Sequence, residues 1–529
     1  MVSVVNYYKA MNQTIPLQST HSFSKTFLDY IAGDPKLTPF YGLTPKIENF
    51  TEQIKKKSFS ESQRQLLFDT LNDQYKEVKT SEEVWKNINL LLQKNTYTVT
   101  TGHQLNIFGG PLYFIYKIVT TINTAKELNQ KYKDYHFVPV FWMASEDHDF
   151  EEINNFNFSG KNWKWETQQK GAVGRFSPEG MEALLNTLPS KINLFEKAYN
   201  EHKTLSSATR YFVNELFSED GLIIIDADNR ALKKQFAEIL KEEILAKSSH
   251  NLVGKATSQL ETAGYETQVH AREINLFYLE NNLRERIISN GENYKINNTE
   301  IFFSKEEILK KIEEESEKFS PNVILRPLYQ ECILPNLAYI GGPAEVVYWL
   351  QLKEMFEHYK IAFPILMPRN FGLFINKNIQ AKISKLSINP EELFLPQDQL
   401  KNNYLTKISG SEFKLGQEQE KLKELYSGIK GKAVAIDKTM EGAVMAELQK
   451  SVKILEELEK RLRKAEERKN ETTITQLLNV KEKLFPGGGL QERSDNFLNF
   501  YLDDPDFINK IKAAFAPFNY RFYLFSEHE

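Results

Sequence analysis

The sequence has little cysteine, no long apolar run and almost no excess of charge of one sign. Cys332 is the single cysteine in 529 residues, so neither an internal disulfide nor a cysteine-rich zinc site can form. No apolar run reaches the ~20 residues that cross a bilayer, and residues 1–12 do not resemble a signal peptide. Lys and Arg number 67 against 71 Asp and Glu, whereas general nucleic-acid binders are usually basic. We therefore expect a cytoplasmic protein with neither membrane nor nucleic acid as a partner.

The length and composition predict several folded domains. Hydrophobic residues make up 41% and charged residues 26%, which is ordinary for a globular protein. At roughly 150 residues per domain, the chain has room for three to four. The predicted segments are the first part of an α/β core (1–152), an inserted region (153–315), the second part of the core (316–380), a helical region (381–485) and a C-terminal segment that returns to the core (486–529).

The α/β core is predicted from strands and helices that alternate along the chain. Residues 96–100 (TYTVT) and 137–143 (FVPVFWM) are typical of buried strands, and residues 112–128 between them have apolar positions at helical spacing, with Pro111 expected in the first turn. This order indicates a parallel βαβ unit. Further strands are expected at 221–226, 275–278, 301–303, 323–325, 363–367 and 520–525, and further helices at 231–247 and about 344–358.

The helical region predicts a coiled coil. Residues 443–469 contain neither proline nor glycine, and a helix of this size would be about 40 Å long. Apolar residues recur there at steps of three and four, as a coiled-coil seam requires. The seam residues are Leu448, Val452, Leu455, Leu458, Leu462 and Ala465. We expect Leu455, Leu458 and Leu462 to hold two copies of the chain together as a homodimer.

A first candidate site follows the strand at 96–100. It contains Thr101, Gly102, His103 and Gln104, and then the pair Gly109-Gly110 before the helix. Glycines between a strand and a helix let backbone N–H groups approach an anion, and ligands bind at the carboxyl ends of strands in open α/β sheets. The chain has neither a P-loop nor a Rossmann glycine fingerprint. The alternative to a binding loop is a turn with a solvated histidine.

A second candidate site follows the strand at 137–143. Ser145, Glu146, Asp147, His148 and Asp149 are consecutive. Carboxylates beside an imidazole orient it, so acid–base catalysis is possible. The same carboxylates could hold Mg²⁺. A third interpretation is a helix N-terminus with a serine cap and an acidic first turn, which leaves His148 unexplained.

A third candidate site repeats the pattern of strand, Gly-Gly-Pro loop and helix. It contains Asn322 and Arg326, and then Gly341, Gly342 and Glu345. Two such loops at two strand ends would face each other where the strand order reverses. Arg326 could pair with a carboxylate or phosphate through two hydrogen bonds, or it could form a surface salt bridge.

Three other segments carry weaker signals. Residues 484–493 (LFPGGGLQER) could hold a phosphate with Arg493, although a hinge is the favoured interpretation. Residues 382–385 (KISK) are better explained as a helix surface than as a synthetase loop. Cys332 is interpreted as a small buried apolar residue rather than a nucleophile.

Taken together, the motifs resemble one family, the cysteine-adding enzymes of bacillithiol biosynthesis, BshC. The resemblance extends over most of the chain. It is carried by TGHQ at 101–104 with GGPLY at 109–113, PVFWMASEDHDFEEIN at 139–154, SPNVILRPLYQ at 320–330, YIGGPAEVVYW at 339–349 and LFPGGGLQER at 484–493.

The resemblance implies both a fold and an activity. The fold is a Rossmann-type core like that of class I nucleotidyltransferases, with connecting-peptide insertions and a C-terminal coiled-coil domain that supports dimerisation. The activity is the last step of bacillithiol synthesis, in which a ligase joins the carboxylate of L-cysteine to the amine of glucosaminyl-malate. The resemblance also suggests ATP or another nucleotide, and it leaves open the Mg²⁺ requirement and the choice between adenylate and acyl-phosphate routes.

The predicted roles follow from the needs of amide formation. His103 and the helix N-terminus at Gly109-Gly110 would bind phosphate or carboxylate. His148 would be the general base for the amine, with Asp147 or Asp149 orienting it. Arg326 would hold the malate or cysteine carboxylate, and Thr101, Gly102, Gln104, Ser145, Glu146, Asn322, Gly341, Gly342, Glu345 and Arg493 would complete the binding site.

Two alternatives from other functional classes stay open at this point. One is an adenylate-forming relative of class I synthetases with another specificity. The other is a non-enzymatic coiled-coil interaction protein, an interpretation that leaves the two Gly-Gly-Pro loops and the SEDHD segment without a role.

Overall fold

A computed structural model describes residues 13–409 and 413–526. The chain divides into two compact units. Of the described residues, the first holds Ser22–Leu373 and Gln491–Phe525 together with those up to Gln18, and the second holds those within Phe374–Leu490 together with Ser19–His21 and Ser526. Within the described residues, none of the helices combines the length and the apolar character that crossing a membrane requires.

Fifteen strands are described, together with short 3-10 turns. They are β1 (Gln13–Pro16), β2 (Thr96–His103), β3 (His136–Met143), β4 (Asn155–Phe158), β5 (Lys161–Lys164), β6 (Ile223–Asp226), β7 (Leu276–Glu280), β8 (Leu283–Asn290), β9 (Asn293–Ile296), β10 (Phe302–Phe303), β11 (Phe319–Pro321), β12 (Asn336–Gly341), β13 (Ile365–Pro368), β14 (Phe371–Ile375) and β15 (Arg521–Ser526).

The α-helices in the described ranges number twenty-three. They are α1 (Lys25–Ala32), α2 (Phe50–Lys56), α3 (Glu61–Tyr75), α4 (Glu82–Leu90), α5 (Tyr113–Lys131), α6 (Phe150–Ile153), α7 (Met181–Thr187), α8 (Asn193–Asn200), α9 (Leu205–Phe217), α10 (Arg230–Lys234), α11 (Ala237–Ala246), α12 (Ser248–Thr262), α13 (Lys305–Glu314), α14 (Arg326–Ile333), α15 (Pro343–Trp349), α16 (Lys353–His358), α17 (Lys377–Leu386), α18 (Gln397–Ser409), α19 (Gly416–Ile436), α20 (Met440–Lys469), α21 (Glu471–Leu484), α22 (Leu498–Tyr501) and α23 (Phe507–Ala514).

A five-stranded parallel sheet forms the centre of the first unit. Its strand order is β13-β12-β2-β3-β6, and every neighbouring pair is parallel. The chain builds outward from β2 through β3 to β6, and then continues on the other side of β2 with β12 and β13. The order therefore reverses between β2 and β12, as in a doubly wound Rossmann-type sheet. This confirms the predicted α/β core.

Helix α5 crosses from β2 to β3 and is largely buried. Its threonines satisfy their hydroxyls locally, because Thr120, Thr121 and Thr124 each donate to the carbonyl four residues earlier. The predicted helix at 112–128 is confirmed as Tyr113–Lys131. Pro111 is not in its first turn, because it precedes the N-cap residue Leu112.

Three local predictions were wrong. Residues 323–325 form a turn rather than a strand, because the Asn322 side chain accepts hydrogen bonds from the N–H groups of Ile324 and Leu325 and starts helix α14. The predicted helix at 231–247 is two helices, α10 and α11, and the one at about 344–358 is also two, α15 and α16. In the latter case a tight turn at 350–352 redirects the chain.

A second sheet of five short antiparallel strands is formed by four strands of the inserted region and by β11, which follows that region. Its order is β10-β9-β8-β7-β11. Two tight turns connect its central strands, and both use residues with positive φ: Asn282 at 59° between β7 and β8, and Gly291 at 65° between β8 and β9. Because β7 and β8 pair residue by residue, alternate side chains of both strands share one face.

The second unit is dominated by helices, and α19 and α20 form its long hairpin. Lys430 and Glu441 form an ion pair of 2.6 Å near the connecting turn. The predicted seam divides in the structure: Leu455 is half-buried, whereas Leu458 is 44% and Leu462 is 41% exposed. The helical coiled-coil domain is thus confirmed, but its leucines do not all lie on one covered face.

The C-terminal segment returns to the first unit through a buried ion pair. Glu492 is fully buried and accepts a hydrogen bond of 2.6 Å from Arg369 and one of 3.0 Å from the N–H of Gly372. Four residues later, the Asn496 side chain donates to the carbonyls of Phe108 and Gly110. These contacts join the start of the C-terminal segment to the segment of β13 and β14 and to the loop after β2.

Replacing Glu492 should destabilise the first unit strongly. Glu492→Ala leaves the buried Arg369 guanidinium without its carboxylate, which typically costs about 3–5 kcal/mol. We expect a matching loss of unfolding free energy for that unit in urea titrations followed by tryptophan fluorescence. Glu215→Ala, which removes an exposed glutamate from α9, is the control. Equal stability of the two variants would contradict this prediction.

Candidate active site

A cavity of about 860 Å³ opens at the carboxyl ends of the central strands. Its walls include the ends of β2 and β3 and the start of α15 after β12. Open α/β sheets bind ligands at this position, where the strand order reverses. One face of the inserted antiparallel sheet, from β7 and β8, forms another wall. All of these elements belong to the first unit.

Most of the predicted site residues meet in this cavity. The predicted residues that line it are Gly102, His103, Gln104, Ser145, Glu146, Asp147, His148, Asn322, Arg326, Gly342, Glu345 and Arg493. The predicted residues that do not line it are Thr101, Gly109, Gly110, Asp149 and Gly341. Residues of all three candidate sites, together with Arg493 from the segment 484–493, thus form a single cavity.

The residues outside the cavity have structural explanations. Thr101 is buried and donates from its hydroxyl to the carbonyl of Ile340, which ties β2 to β12. Gly110 has a φ of 61°, and a Cβ there would lie 2.5 Å from the Cβ of Asn106. Gly109 has a φ of 75° and packs against aromatic rings. The glycine pair thus shapes the loop, and it does not contact the cavity.

A buried ion pair lies at the centre of the cavity floor. Lys117 points from α5 toward the end of β2, where its ammonium donates to the Gly102 carbonyl and, at 2.7 Å, to Glu345. Glu345 also accepts from the Tyr339 hydroxyl at 2.6 Å and from the Gly342 N–H at 2.8 Å. Burial opposes ionisation of Glu345, but Lys117 and these donors outweigh it and lower its pKa to about 2.

His103 lies beside this pair as a neutral ring. It packs between Tyr113 and Phe114, with both ring centroids 5.3 Å away. Burial, with the nearby positive charges of Lys117 and Arg369, lowers the pKa of His103 to about 3. Its Nε2 is buried and has no hydrogen-bond partner among the described residues. His103 therefore offers a hydrogen bond to a ligand but no positive charge.

Asp147 is the fixed carboxylate of the SEDHD loop. It accepts from the Gln104 amide at 3.0 Å and from the N–H groups of His148 and Asp149. Although burial opposes ionisation, His148, the Arg284 guanidinium and Gln104 together lower the pKa of Asp147 below its ordinary range. Asp147 is therefore a permanent anion that orients its neighbours.

Glu146 belongs to a separate buried charge cluster. Lys233 lies 2.5 Å from Glu146 and 3.0 Å from Asp228, and Arg175 pairs with the other side of Asp228 at 2.8 Å. Burial raises the pKa of Glu146, against the opposing effect of Lys233. Together with the hydrogen bond from Ser145 to Asp226, this cluster fixes the start of the loop.

His148 is held by an arginine from the inserted sheet. Nη1 of Arg284 lies 2.6 Å from Nδ1 of His148. A guanidinium can only donate, so Nδ1 accepts, and the proton of the neutral ring is assigned to Nε2. In this arrangement His148 presents a hydrogen-bond donor to the cavity. Accepting a proton at Nε2 would first require moving its proton to Nδ1 and breaking the contact with Arg284.

The arginines of the floor differ in how far their charge is compensated. Arg369 is neutralised by Glu492. Arg326 donates to the Tyr348 hydroxyl at 2.9 Å and to the Gln330 amide oxygen at 3.4 Å. In the described ranges, no carboxylate oxygen lies close enough to its guanidinium to form an ion pair. The alternative of a surface salt bridge is therefore not supported. Arg326 keeps an uncompensated charge at the cavity.

Sequence reasoning missed several cavity residues. Lys117 had one usable signal, since it is the single charged residue in the apolar and threonine-rich stretch 112–125. Arg369 and Arg284 follow or occupy strands and carried no local signal. The cavity residues that were not predicted from the sequence include Tyr113, Lys117, Arg272, Phe277, Arg284, Arg286, Tyr348 and Arg369.

Neither a metal centre nor a reactive thiol is apparent in the part of the chain that the structure describes. No group of three or more His, Cys, Asp or Glu side chains is arranged to hold a metal ion there. Cys332 is half-buried outside the cavity, and burial raises the pKa of its thiol to about 12. A thiol with this pKa is not a nucleophile at neutral pH.

Comparison with known families matches all described residues except 371. The family profile for the N-terminal Rossmann-like domain of the bacillithiol biosynthesis protein BshC matches residues 11–370. The profile for the C-terminal coiled-coil domain of BshC matches residues 372–527. The resemblance drawn from the motifs is thereby confirmed.

Individual relatives agree with the family profiles. A protein of Flavobacterium psychrophilum named "Putative cysteine ligase BshC" is 45% identical, with 95% of this chain and 97% of the relative covered. The protein of that name from Flavobacterium johnsoniae is also 45% identical, with 96% and 98% covered. The one from Staphylococcus aureus is 29% identical, with 86% and 89% covered.

The neutral state of His103 predicts a pH-dependent stability. The pKa of His103 falls from its ordinary 6.5 to about 3 on folding, so the stabilisation is complete above pH 6.5 and is lost as the pH falls toward 3. As the pH is lowered from 7.5 to 5, the thermal midpoint of the wild type should therefore fall by more than that of His103→Gln. His202→Gln, outside the cavity, is the control. A difference that does not depend on pH would refute the buried neutral ring.

Proposed function

The chain belongs to the BshC family of bacillithiol biosynthesis, and we propose that it is the ligase that adds L-cysteine to glucosaminyl-malate in the last step of that synthesis. The observation that carries this proposal is the cavity at the strand-order reversal, where guanidiniums without an ion pair outnumber the one such carboxylate, Glu152, among the described residues. Both substrates carry carboxylates, and the product retains those of malate. A cavity with free guanidiniums suits such anionic substrates.

The reaction forms a C–N bond between the amine nitrogen of glucosaminyl-malate and the carboxyl carbon of cysteine, and it breaks one C–O bond and one N–H bond. The carboxylate oxygen would leave with the phosphate group that activates it, and the amine gives up a proton. ATP or another nucleotide would supply the activation that the carboxylate needs. The chain's own residues bind and orient the two substrates, and positioning alone can contribute ~7–11 kcal/mol in favourable cases.

Side chains, rather than a free helix N-terminus, would hold a nucleotide here. The Gly342 N–H at the start of α15 is already taken by Glu345, and Gly109-Gly110 do not reach the cavity. The donors outside the inserted sheet are Arg493, the neutral ring of His103 and Arg326, and Arg326 could hold the cysteine carboxylate as well. This donor set fits phosphate oxygens, which accept from guanidinium and imidazole N–H groups. A Mg²⁺ ion would have to be bound mainly by the nucleotide and water.

His148 is the proposed proton acceptor for the amine, and Asp147 is its orienting partner. Asp149 is exposed and does not line the cavity, which leaves Asp147 for this role. Since Arg284 holds the acceptor nitrogen of His148, the base role requires a change of tautomer. If the tautomer does not change, His148 instead donates a hydrogen bond from Nε2 to the substrate.

The proposed activity is tested by reconstitution from purified components. L-cysteine, glucosaminyl-malate and one nucleotide at a time are incubated with the full chain, and the thiol product is followed by mass spectrometry. We expect the amide product, with either AMP or ADP identifying the activation route. Adenylation of cysteine with no product from glucosaminyl-malate would instead indicate a synthetase of another specificity.

Variants of His148 separate its two possible roles in the same assay. His148→Ala should lower turnover by roughly 10²- to 10⁴-fold, the usual contribution of a general acid or base, while the fold is kept. His148→Gln places an amide donor near the position of Nε2. Recovery of activity in His148→Gln would identify a donor, whereas equal loss in both variants supports the base. Full activity of His148→Ala would exclude either role, and His202→Ala is the control.

The helical hairpin is proposed to join two copies of the chain. Ile454, Leu458 and Leu462 on α20 follow one another at steps of four, and they are 68%, 44% and 41% exposed. Residues at this spacing lie on one face of a helix, and large exposed apolar stripes mark interaction surfaces. Leu455, the half-buried residue of the predicted seam, instead belongs to the interior of the hairpin.

Charge on the exposed stripe should therefore produce monomers. Leu458→Glu combined with Leu462→Glu would place two carboxylates in the proposed interface and leave the half-buried face of the hairpin untouched. We expect light scattering to report half the mass of the wild type. Gln449→Glu, an exposed position on the same helix, is the control for added charge. A dimer that survives the double substitution would refute this interface.

A further inference from the structure

The inserted antiparallel sheet brings a second group of cations to the cavity. Arg284 and Arg286 are two residues apart on β8, so both point to the same face of the sheet. Phe277 of β7 pairs with Arg286 and shares that face. Arg272 reaches the same cavity from the irregular segment before β7. We call this group of Arg272, Arg284 and Arg286 the arginine wall.

Arg284 is the buried member of the arginine wall. Its side chain is only 7% exposed, and its guanidinium lies 3.9 Å above the centre of the Phe277 ring. One nitrogen donates to His148 and another to the Ser320 hydroxyl at 3.3 Å, while Nε is buried with no partner in the described ranges. The nearest carboxylate is Asp147, at 4.0 Å. The charge and donors of Arg284 are thus only partly satisfied by the protein.

Arg272 and Arg286 are exposed members of the arginine wall. Within residues 13–409 and 413–526, neither has a carboxylate close enough for an ion pair. The backbone of Arg272 is nevertheless fixed: its N–H donates to the Asn275 amide oxygen at 3.0 Å, and its carbonyl accepts from the Asn275 amide nitrogen at 2.8 Å. Asn275 is itself buried against the carboxylate of Glu243. The segment therefore presents Arg272 to the cavity in a fixed place.

The charge of the arginine wall matches a dianion. Its three guanidiniums are opposed by the single carboxylate of Asp147, which leaves an excess of about two positive charges. Of the other cations that line the cavity, Lys117 is paired with Glu345 and Arg369 with Glu492, whereas Arg326 and Arg493 have no ion pair among the described residues. Guanidiniums bind carboxylates through two parallel hydrogen bonds, and several arginines side by side suit two carboxylates on adjacent carbons.

We propose that the arginine wall is a dicarboxylate subsite that binds the malyl end of the amino-sugar substrate. This assignment rests on the proposed function, and it specifies how the two substrates are oriented in the cavity. With malate at the arginine wall, Arg326 on the opposite wall is left for the carboxylate of cysteine. The sugar amine then lies between the two walls, next to His148, where it can meet the cysteine carboxyl carbon.

The subsite is tested by direct binding to the full chain, measured by calorimetry. The probes are L-malate with two carboxylates, L-lactate with one, and tripolyphosphate. The variants are Arg272→Gln and Arg286→Gln, with Arg461→Gln on α20 as the control for loss of an exposed arginine. We expect L-malate to bind at least about tenfold more tightly than L-lactate, and each cavity variant to weaken L-malate about tenfold. The affinity for tripolyphosphate should be the same in the cavity variants as in the wild type. The control variant should bind L-malate as tightly as the wild type does.

Two results would overturn the subsite. One is L-malate that fails to bind the wild type, or that binds both variants as tightly as the wild type. The other is a loss that falls on tripolyphosphate instead, which would make the arginine wall a phosphate site.

The same variants distinguish failure of the subsite from failure of the proposed function. Product formation by Arg272→Gln and Arg286→Gln with an unchanged KM for glucosaminyl-malate would overturn the subsite and keep the ligase. Variants that raise this KM with little effect on kcat would support the subsite. If the chain makes no amide but its binding of L-malate depends on the arginine wall, the proposed ligase activity would be overturned and the subsite would be kept.

Discussion

The burial of one ammonium group, that of Lys117, fixes the geometry on which the cavity depends. A buried charge is costly unless it is paired and hydrogen-bonded, and Lys117 meets both needs only where β2 and β12 end side by side. The Gly102 carbonyl comes from β2, and the Glu345 carboxylate comes from the helix that follows β12. The ion pair therefore holds together the two strand ends between which the sheet order reverses.

The same principle explains which charges face the cavity. Two buried carboxylates near the cavity are matched internally, Glu492 by Arg369 and Glu146 by Lys233. After these pairs are made, the groups left at the cavity surface are mainly guanidiniums, of which Arg326 is the least compensated on the sheet side. The internal pairing thus decides the sign of the ligand, because a cavity with unmatched positive charge favours anionic substrates.

Sequence patterns predicted the core strands and the candidate loops because those signals are local. Runs of β-branched and aromatic residues gave β2 and β3, and the density of ionisable groups gave the SEDHD loop. Residues 323–325 misled for the opposite reason, since one side chain, Asn322, overrides their strand propensity. Lys117 and Glu345 lie 228 positions apart, and only the topology of the sheet brings them into contact.

The division of labour between core and insertion follows from where each arginine originates. The Rossmann-type core, a fold that hosts many different functions, supplies the floor of the cavity. The inserted sheet supplies a wall that the core alone lacks. Arg284 connects the two parts, because it belongs to the arginine wall and its guanidinium also donates to His148. Nε of Arg284, which is buried and has no partner among the described residues, is a different donor from the one that holds His148. Recognition of the substrate and orientation of His148 can therefore proceed through one side chain without competing for the same donor.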